Sequence, residues 1–181
     1  MIKLVIFDLD GVLIDACEWH RVSLNKALKE VCNYEIPLKD HKSIFNGLPS
    51  RTKLQKLTDL GIVAMENHDN ISTLKQKLTI DIIKANGNRS SEKINLVKFL
   101  KTHSCTVACF TNSIMHSAVL MLKTIGIFDM LDCVVTNEDV KKPKPDPEGY
   151  NFIVDKFGCN PEDVLIIEDS PKGKEAAYSS G

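Results

Sequence analysis

Four short apolar runs limit what this chain can fold into more than any other feature of its sequence. The runs are Leu4–Phe7, Thr106–Phe110, 133–136 and Val164–Ile167, and segments long enough for a helix separate the last three. Strands that alternate with helices form parallel sheets with right-handed crossovers and helices on both faces. The pattern therefore predicts an α/β fold with a doubly wound parallel sheet.

Glycines mark where two of the connecting helices end. The segments 115–125 and 147–157 have helical periodicity, and each is followed directly by a glycine, Gly126 or Gly158. Glycine is favoured there because the residue after a helix often adopts a left-handed conformation. A further helix is predicted at 91–101, where Ile94, Val97 and Leu100 recur at a spacing of three.

About 100 residues separate the first apolar run from the second, too many for one crossover helix. Apolar residues with helical spacing predict three helices in this region, at 18–32, 50–60 and 70–85. We therefore expect an all-helical cap domain at residues 16–86, inserted into a core domain formed by residues 1–15 and 87–181.

Composition narrows the class of partner. The 23 basic residues nearly balance the 24 acidic ones, so no overall field attracts nucleic acid or an anionic membrane. The six cysteines show no CxxC spacing, which favours reduced thiols over a disulfide or zinc framework. No leader or long apolar segment is evident at the N-terminus. These features predict a cytoplasmic protein that binds neither nucleic acid nor membrane.

Polar side chains follow every one of the four predicted strands. They are Asp8 and Asp10, then Thr111 and Asn112, then the segment KKPKPDP, then Glu168 and Asp169. The carboxyl ends of parallel strands share one edge of a sheet, where such folds bind ligands. Carboxylates suit Mg²⁺, while a hydroxyl, an amide and a lysine suit a phosphoryl group. The sequence therefore predicts a site for phosphoryl transfer.

Each motif also has an ordinary structural interpretation. The DxDG of Asp8 and Asp10 occurs in EF-hand calcium loops, but the twelfth position from Asp8 is Trp19 rather than the required glutamate. The TNS and DSP segments could be turns or helix caps. A solvated lysine is the alternative for Lys142, although the K-P-x-P-D spacing favours it over Lys141 and Lys144.

Taken together, the motifs resemble those of the haloacid dehalogenase superfamily. The segments DLDGVLID, FTNS, KKPKP and IIEDS occur in the family's order around a helical insert. More narrowly, they resemble its phosphatase and β-phosphoglucomutase branch, which has a helical cap after the first motif. The resemblance implies that the C-terminal part of the core, at least one strand and one helix, is missing after Gly181.

The resemblance also implies a role for each motif residue. Asp8 would be the nucleophile that takes the phosphoryl group, and Asp10 would protonate the leaving oxygen and later activate water. Asp8, the backbone carbonyl of Asp10 and Asp169 would hold Mg²⁺, with Glu168 nearby as a direct or water-mediated ligand. The residues implied to bind phosphate are Thr111, Asn112 and Lys142, of which Lys142 would also pair with Asp8.

In the cap, the resemblance implies that His20 and Arg51 approach the substrate. His20 lies in a DxxExH segment and Arg51 in GLPSR. The alternative for His20 is a partly buried histidine of the first cap helix. Lys75 and Lys77 lie on a predicted helix, where lysine usually only solvates the surface.

Three functions follow from the resemblance. The leading one is a Mg²⁺-dependent phosphatase that acts on a small phosphorylated metabolite, such as a sugar phosphate or phosphoglycolate, through an aspartyl phosphate. A β-phosphoglucomutase-like mutase and a non-catalytic domain that binds a phosphorylated metabolite are the alternatives. Asn112 and Ala16 replace residues typical of the mutases, which favours hydrolysis.

Overall fold

A parallel sheet of four strands organises the computed structural model, which describes all residues from Met1 to Gly181. The strands are β1 (Leu4–Phe7), β2 (Thr106–Phe110), β3 (Cys133–Val135) and β4 (Val164–Ile167), in the order β3-β2-β1-β4. The predicted α/β fold is confirmed. β3 ends one residue early because Thr136 gives its N–H and hydroxyl to the Asp139 carboxylate, at 2.8 and 2.7 Å.

The register of the sheet aligns the carboxyl ends of its strands. β1 lies between two neighbours, and Phe7 pairs with Cys109 of β2 and with Ile167 of β4. The N–H of Asp8 continues this ladder by donating to the Ile167 carbonyl at 2.9 Å. The residues that follow β1, β2 and β4 therefore emerge at one edge of the sheet.

Eight α-helices connect and cover the strands. They are α1 (Cys17–Cys32), α2 (Leu38–Asp40), α3 (Ser50–Asp59), α4 (His68–Asn86), α5 (Ser91–Thr102), α6 (Met115–Ile125), α7 (Glu148–Phe157) and α8 (Pro171–Ser179). Gly126 and Gly158 adopt φ values of 87° and 60° after α6 and α7, as their positions predict. None of the helices has the length and apolar composition that crossing a bilayer requires.

Two hydrophobic clusters flank the sheet because successive strand residues point to opposite faces. Val5 and Phe7 belong to a cluster of 16 buried residues that also includes side chains of α5 and α6. Leu4 and Ile6 belong to a cluster of eight that includes side chains of α7 and α8. The strand ends are thus held rigidly from both sides.

Residues 16–86, which we call the helical insert, contain no strand. α1 packs along α4, and nine buried apolar residues form a separate cluster there: Leu24, Ala27, Leu28, Ile36, Phe45, Leu54, Leu57, Val63 and Ile71. α1 begins at Cys17 and α4 ends at Asn86, and the division into a core domain and a cap domain stays a prediction. Ile83 of α4 packs in the cluster beside the sheet, so the insert is anchored to the core.

The sequence did not predict α2 or the π-helical turn His41–Phe45 that follows it. Only His41 and Phe45 are buried in this polar turn, so no amphipathic pattern marks it. A buried side chain fixes the preceding loop instead, because the Asn25 amide donates to the Ile36 carbonyl at 3.0 Å and accepts from the Ile36 N–H at 3.1 Å.

Gly149 lies where α7 packs closely on β2. A Cβ at this position would lie 2.2 Å from Cζ of Phe110, the last residue of β2. Alanine normally stabilises a helix relative to glycine, but here it would overpack the core. We expect Gly149→Ala to lower the free energy of unfolding by about 2 kcal/mol in urea denaturation. Asn151→Ala, on the exposed side of α7, is the control, and an increase in stability for Gly149→Ala would contradict the packing.

Candidate active site

A cavity of about 590 Å³ lies between the helical insert and the carboxyl edge of the sheet. Asp8, Asp10, Thr111 and Asn112 line it from the ends of β1 and β2, and Asp169 lines it beyond β4. Most of the strand-end residues singled out in the sequence therefore meet at this cavity, which neither Lys142 nor Glu168 lines.

Lys144, not Lys142, reaches the carboxylate at the end of β1. The Lys144 ammonium lies 2.7 Å from Asp8 Oδ1, donates to the Phe110 carbonyl at 2.8 Å and contacts Glu168. Lys142 has a side chain that is 74% exposed and pairs with Asp146 at 3.7 Å. The expected pairing of Lys142 with Asp8 was therefore wrong.

The error has a physical origin in two overlapping K-P-x-P segments, one starting at Lys142 and one at Lys144. The Glu148 carboxylate accepts the backbone N–H groups of Lys141 and Lys142, both at 2.9 Å, and fixes that part of the loop at the surface. Lys144 is then turned inward. The second K-P-x-P register, which ends just before α7, was the signal in the sequence.

Asn112 holds the Lys144 backbone. Its amide donates to the Lys144 carbonyl at 3.1 Å and to the Gly47 carbonyl of the insert at 2.9 Å, and it accepts from the Lys144 N–H at 3.0 Å. These partners occupy the side-chain amide, so only the backbone N–H of Asn112 is left to bind phosphate. Binding of phosphate by Asn112 stays a prediction. The side chain itself positions the lysine.

The charged groups around Asp8 shift its pKa in opposite directions. Burial raises the pKa of the Asp8 carboxyl to about 7, while Lys144 lowers it and Glu168 and Asp10 raise it. Burial alone would lower the pKa of Lys144, but Asp8, Tyr150 and Glu168 raise it above its ordinary value. The lysine therefore stays charged. Any additional cation beside Asp8 would favour its carboxylate form.

A group of three carboxylates could hold such a cation. Ligand oxygens of Asp8, Glu168 and Asp169 lie within 4.8 Å of one another. Asp169 is exposed and lies against Gly11, where a Cβ would come within 2.4 Å of its Oδ2. Carboxylate oxygens with room for water suit Mg²⁺. The donor set therefore fits the predicted metal, with the Asp10 side chain outside this group.

Glu168 has protein partners on both of its oxygens. Oε1 contacts Lys144 and accepts from the Tyr150 hydroxyl at 3.1 Å, and Oε2 accepts from the N–H and hydroxyl of Ser170 at 3.2 Å. Its side chain is only 3% exposed. Glu168 thus positions Lys144, and a direct contact of Glu168 with a metal stays a prediction.

Asp10 faces the insert. Its Oδ1 lies 3.0 Å from His20 Nε2, and its Oδ2 accepts from the hydroxyls of Ser113 at 2.8 Å and Thr111 at 3.3 Å. Burial alone would raise the pKa of Asp10, but His20, Ser113 and Lys75 lower it to about 2. Asp10 is therefore a carboxylate here. Ser113 is the last residue of the FTNS segment, but the sequence did not predict a role for its side chain.

His20 and Lys75 form a chain with Asp10. Lys75 Nζ lies 3.2 Å from His20 Nδ1. The pKa of His20 is lowered by burial, although Asp10 raises it. A neutral imidazole that accepts from the ammonium at Nδ1 must carry its proton on Nε2, where it donates to Asp10. Lys75 is half-buried and lines the cavity rather than only solvating the helix surface. Arg51 lies at the cavity wall with an exposed side chain.

Lys53 is a further cation that the sequence did not reveal. It is 7% exposed, lines the cavity from α3 and makes neither an ion pair nor a hydrogen bond through Nζ. Burial, followed by repulsion from Lys75, lowers its pKa to about 8. Nothing in a helical pattern distinguishes an inward lysine from a solvated one, so only the packing could identify it.

The chain matches the family model of haloacid dehalogenase-like hydrolases over residues 5–181. A phosphorylated carbohydrates phosphatase of Thermotoga maritima is 29% identical over an alignment of 187 residues, gaps included. The alignment covers 98% of this chain and 81% of that protein. A phosphoglycolate phosphatase of Nitrosospira multiformis is 30% identical over 190 residues, covering 99% and 80%.

The fold has solved counterparts. The crystal structure of a β-phosphoglucomutase from Clostridium difficile superposes with a TM-score of 0.84 at 23% identity, covering 99% of this chain and 82% of that chain. At this level of identity the likeness concerns the fold.

Removal of Lys144 should destabilise the protein. Lys144→Met leaves Asp8 and Glu168 buried without their cation, and breaking a buried ion pair from one side costs about 3 kcal/mol in the free energy of unfolding. Urea denaturation at pH 7 measures this loss. Lys142→Met, at the exposed lysine two residues away, should change the stability by less than about 0.5 kcal/mol. Equal losses in the two variants would contradict the assignment of Lys144.

Removal of Lys53 should have the opposite effect. Lys53→Met removes a cation whose charged form is disfavoured by burial, and we expect a gain of about 2 kcal/mol in the free energy of unfolding at pH 7. Because the pKa of Lys53 is lowered from 10.5 to about 8, the unfolded chain binds more protons between these values. Wild-type stability should therefore rise through this pH range, and the gain in the variant should shrink.

Denaturation at several pH values, with Lys56→Met on the exposed side of α3 as control, measures both effects. A loss of stability in Lys53→Met at pH 7 would show that Lys53 has a partner in the folded protein.

Proposed function

Because this chain belongs to the haloacid dehalogenase-like hydrolase family and its curated relatives are phosphatases, we propose that it is a Mg²⁺-dependent phosphatase of small phosphorylated metabolites. The observation that carries the proposal is the Asp8 carboxylate, held by Lys144 beside Asp169 at the floor of a cavity. The names of the relatives suggest a sugar phosphate or phosphoglycolate as substrate. Residues 16–86 would act as a cap that closes over it.

Asp8 would attack the phosphorus of the substrate. The phosphoryl group passes to the carboxylate as an aspartyl phosphate, and the ester oxygen leaves. Lys144 stabilises the negative charge, and the Thr111 hydroxyl, at the end of β2, would donate to a phosphoryl oxygen. Asp8, Asp169 and the carbonyl oxygen of Asp10 would hold Mg²⁺, which when bound neutralises charge on the phosphoryl oxygens.

Asp10 would carry the proton in both halves of the reaction. In the first half a protonated Asp10 gives its proton to the leaving ester oxygen, which requires it to exchange the His20 and Ser113 contacts for the substrate. In the second half the Asp10 carboxylate takes a proton from the water that attacks the aspartyl phosphate, and inorganic phosphate is released. The low pKa that His20 and Ser113 give Asp10 keeps it ionised, so exchange of these contacts for the substrate must raise the pKa before Asp10 can bind a proton.

The decisive experiment measures phosphate release with and without Mg²⁺. Suitable substrates are p-nitrophenyl phosphate, glucose 6-phosphate and 2-phosphoglycolate. We expect Asp8→Asn to lower kcat by at least about 10³-fold because the amide is not a nucleophile, and chelation of the metal to have a similar effect. Asp155→Asn, an exposed aspartate of α7, is the matched control and should stay within about twofold of wild type.

Other outcomes would replace the proposal. Equal phosphate release by wild type and Asp8→Asn would contradict catalysis by this site. Conversion of β-glucose 1-phosphate to glucose 6-phosphate with little free phosphate would identify a mutase. Binding of phosphorylated metabolites without any turnover would leave a non-catalytic binding domain.

A further inference from the structure

The two oxygens of the Asp10 carboxylate are divided between the sheet and the helical insert. Oδ2 accepts from the hydroxyls of Ser113 and Thr111, at 2.8 and 3.3 Å, and both residues follow β2. Oδ1 lies 3.0 Å from Nε2 of His20, which belongs to α1 of the insert. Each oxygen therefore has hydrogen-bond partners from one side of the cavity only.

Ser113 is itself fixed to the sheet side of the cavity. Its N–H donates to the Thr111 hydroxyl oxygen at 3.0 Å, and its carbonyl accepts from the Asn137 N–H at 3.4 Å. Its hydroxyl gives one proton to Asp10 and can accept at the same time from His20 Nε2, which lies 3.2 Å away. Because its backbone is bonded to the loops that follow β2 and β3, Ser113 can keep its place when the insert moves.

Thr111 cannot replace Ser113 during turnover. In the proposed function the Thr111 hydroxyl donates to a phosphoryl oxygen, and a hydroxyl has only one proton to donate. Its contact with Asp10 is also the longer of the two, 3.3 Å rather than 2.8 Å. Once Asp8 carries the phosphoryl group, Ser113 is therefore the donor from the sheet that remains on Oδ2.

We propose that Ser113 is a positioning residue for the hydrolysis of the aspartyl phosphate. This rests on the proposed function, in which Asp10 acts as the base. With Oδ2 held by Ser113, an outward movement of His20 exposes Oδ1 to a water molecule. The water attacks the phosphorus and its proton passes to Oδ1 of Asp10. The bond between the phosphorus and the Asp8 oxygen breaks, and its electron pair returns to the Asp8 carboxylate.

Removal of the Ser113 hydroxyl should slow only the second half of the reaction. We expect Ser113→Ala to hydrolyse the aspartyl phosphate about 10-fold or more slowly, because Asp10 loses its fixed orientation toward the water. With p-nitrophenyl phosphate the first half should be unchanged, because p-nitrophenolate leaves without a proton from Asp10. Steady-state kcat and KM should therefore fall together while kcat/KM stays within about twofold. In rapid mixing, a burst of p-nitrophenolate that approaches the amount of enzyme should precede the steady state.

Two further variants connect this effect to the hydroxyl. Ser113→Thr keeps a hydroxyl at the position and should restore kcat to within about threefold of wild type. Ser117→Ala is the matched control, because the Ser117 hydroxyl donates to the Ile114 carbonyl at 3.2 Å and does not line the cavity. Its kinetics should stay within about twofold of wild type. An unchanged kcat in Ser113→Ala, or an equal fall of kcat and kcat/KM without a burst, would overturn the proposal.

Direct phosphorylation separates this role of Ser113 from the phosphatase function. If wild type releases phosphate from no ester, the phosphatase function fails, and acetyl phosphate with Mg²⁺ then serves as a small donor to Asp8. Mass spectrometry follows the decay of the phosphorylated protein after the donor is removed. A lifetime about 10-fold longer in Ser113→Ala than in wild type supports the positioning role. Equal lifetimes, or no phosphorylation that Asp8→Asn abolishes, overturn it.

Discussion

The Lys144 ammonium is the group on which the arrangement of this site depends. It joins Asp8, which follows β1, to the last carbonyl of β2 and to Glu168 beyond β4. The rings of Phe110 and Tyr150 enclose it at 4.7 and 5.1 Å, so little water screens these contacts. Three neighbouring strands therefore place their functional side chains against one cation.

This concentration of negative charge is one that a metal ion could balance. Asp8, Glu168 and Asp169 carry three negative charges when ionised, and Lys144 offsets one of them. A divalent cation would balance the remaining two. Without a metal ion, the pKa values of Asp8 and Asp169 are both raised, first by burial and then by the neighbouring carboxylates. This is consistent with a shortage of positive charge in the site.

The fold and part of the site could be predicted because they follow from short local patterns. A buried run followed by a carboxylate marks a strand end, so Asp8 and Asp169 were found from the sequence, as were the glycines after α6 and α7. The choice between Lys142 and Lys144 required the loop geometry that Glu148 and Asn112 impose. The DxxExH segment indicated His20, but no helical pattern separates an inward lysine from a solvated one. Lys53 was missed and Lys75 was interpreted as solvated for this reason.

The bond between Asn112 and the Gly47 carbonyl has a consequence for how the cavity exchanges its contents. An outward movement of the helical insert must break this 2.9 Å contact and, where α1 moves with it, the contact of His20 with Asp10, but the same amide keeps both of its bonds to the Lys144 backbone. Asp8 and Lys144 can therefore stay assembled while the entrance widens. Admission of a substrate and release of a product need not disturb the half of the site that belongs to the sheet.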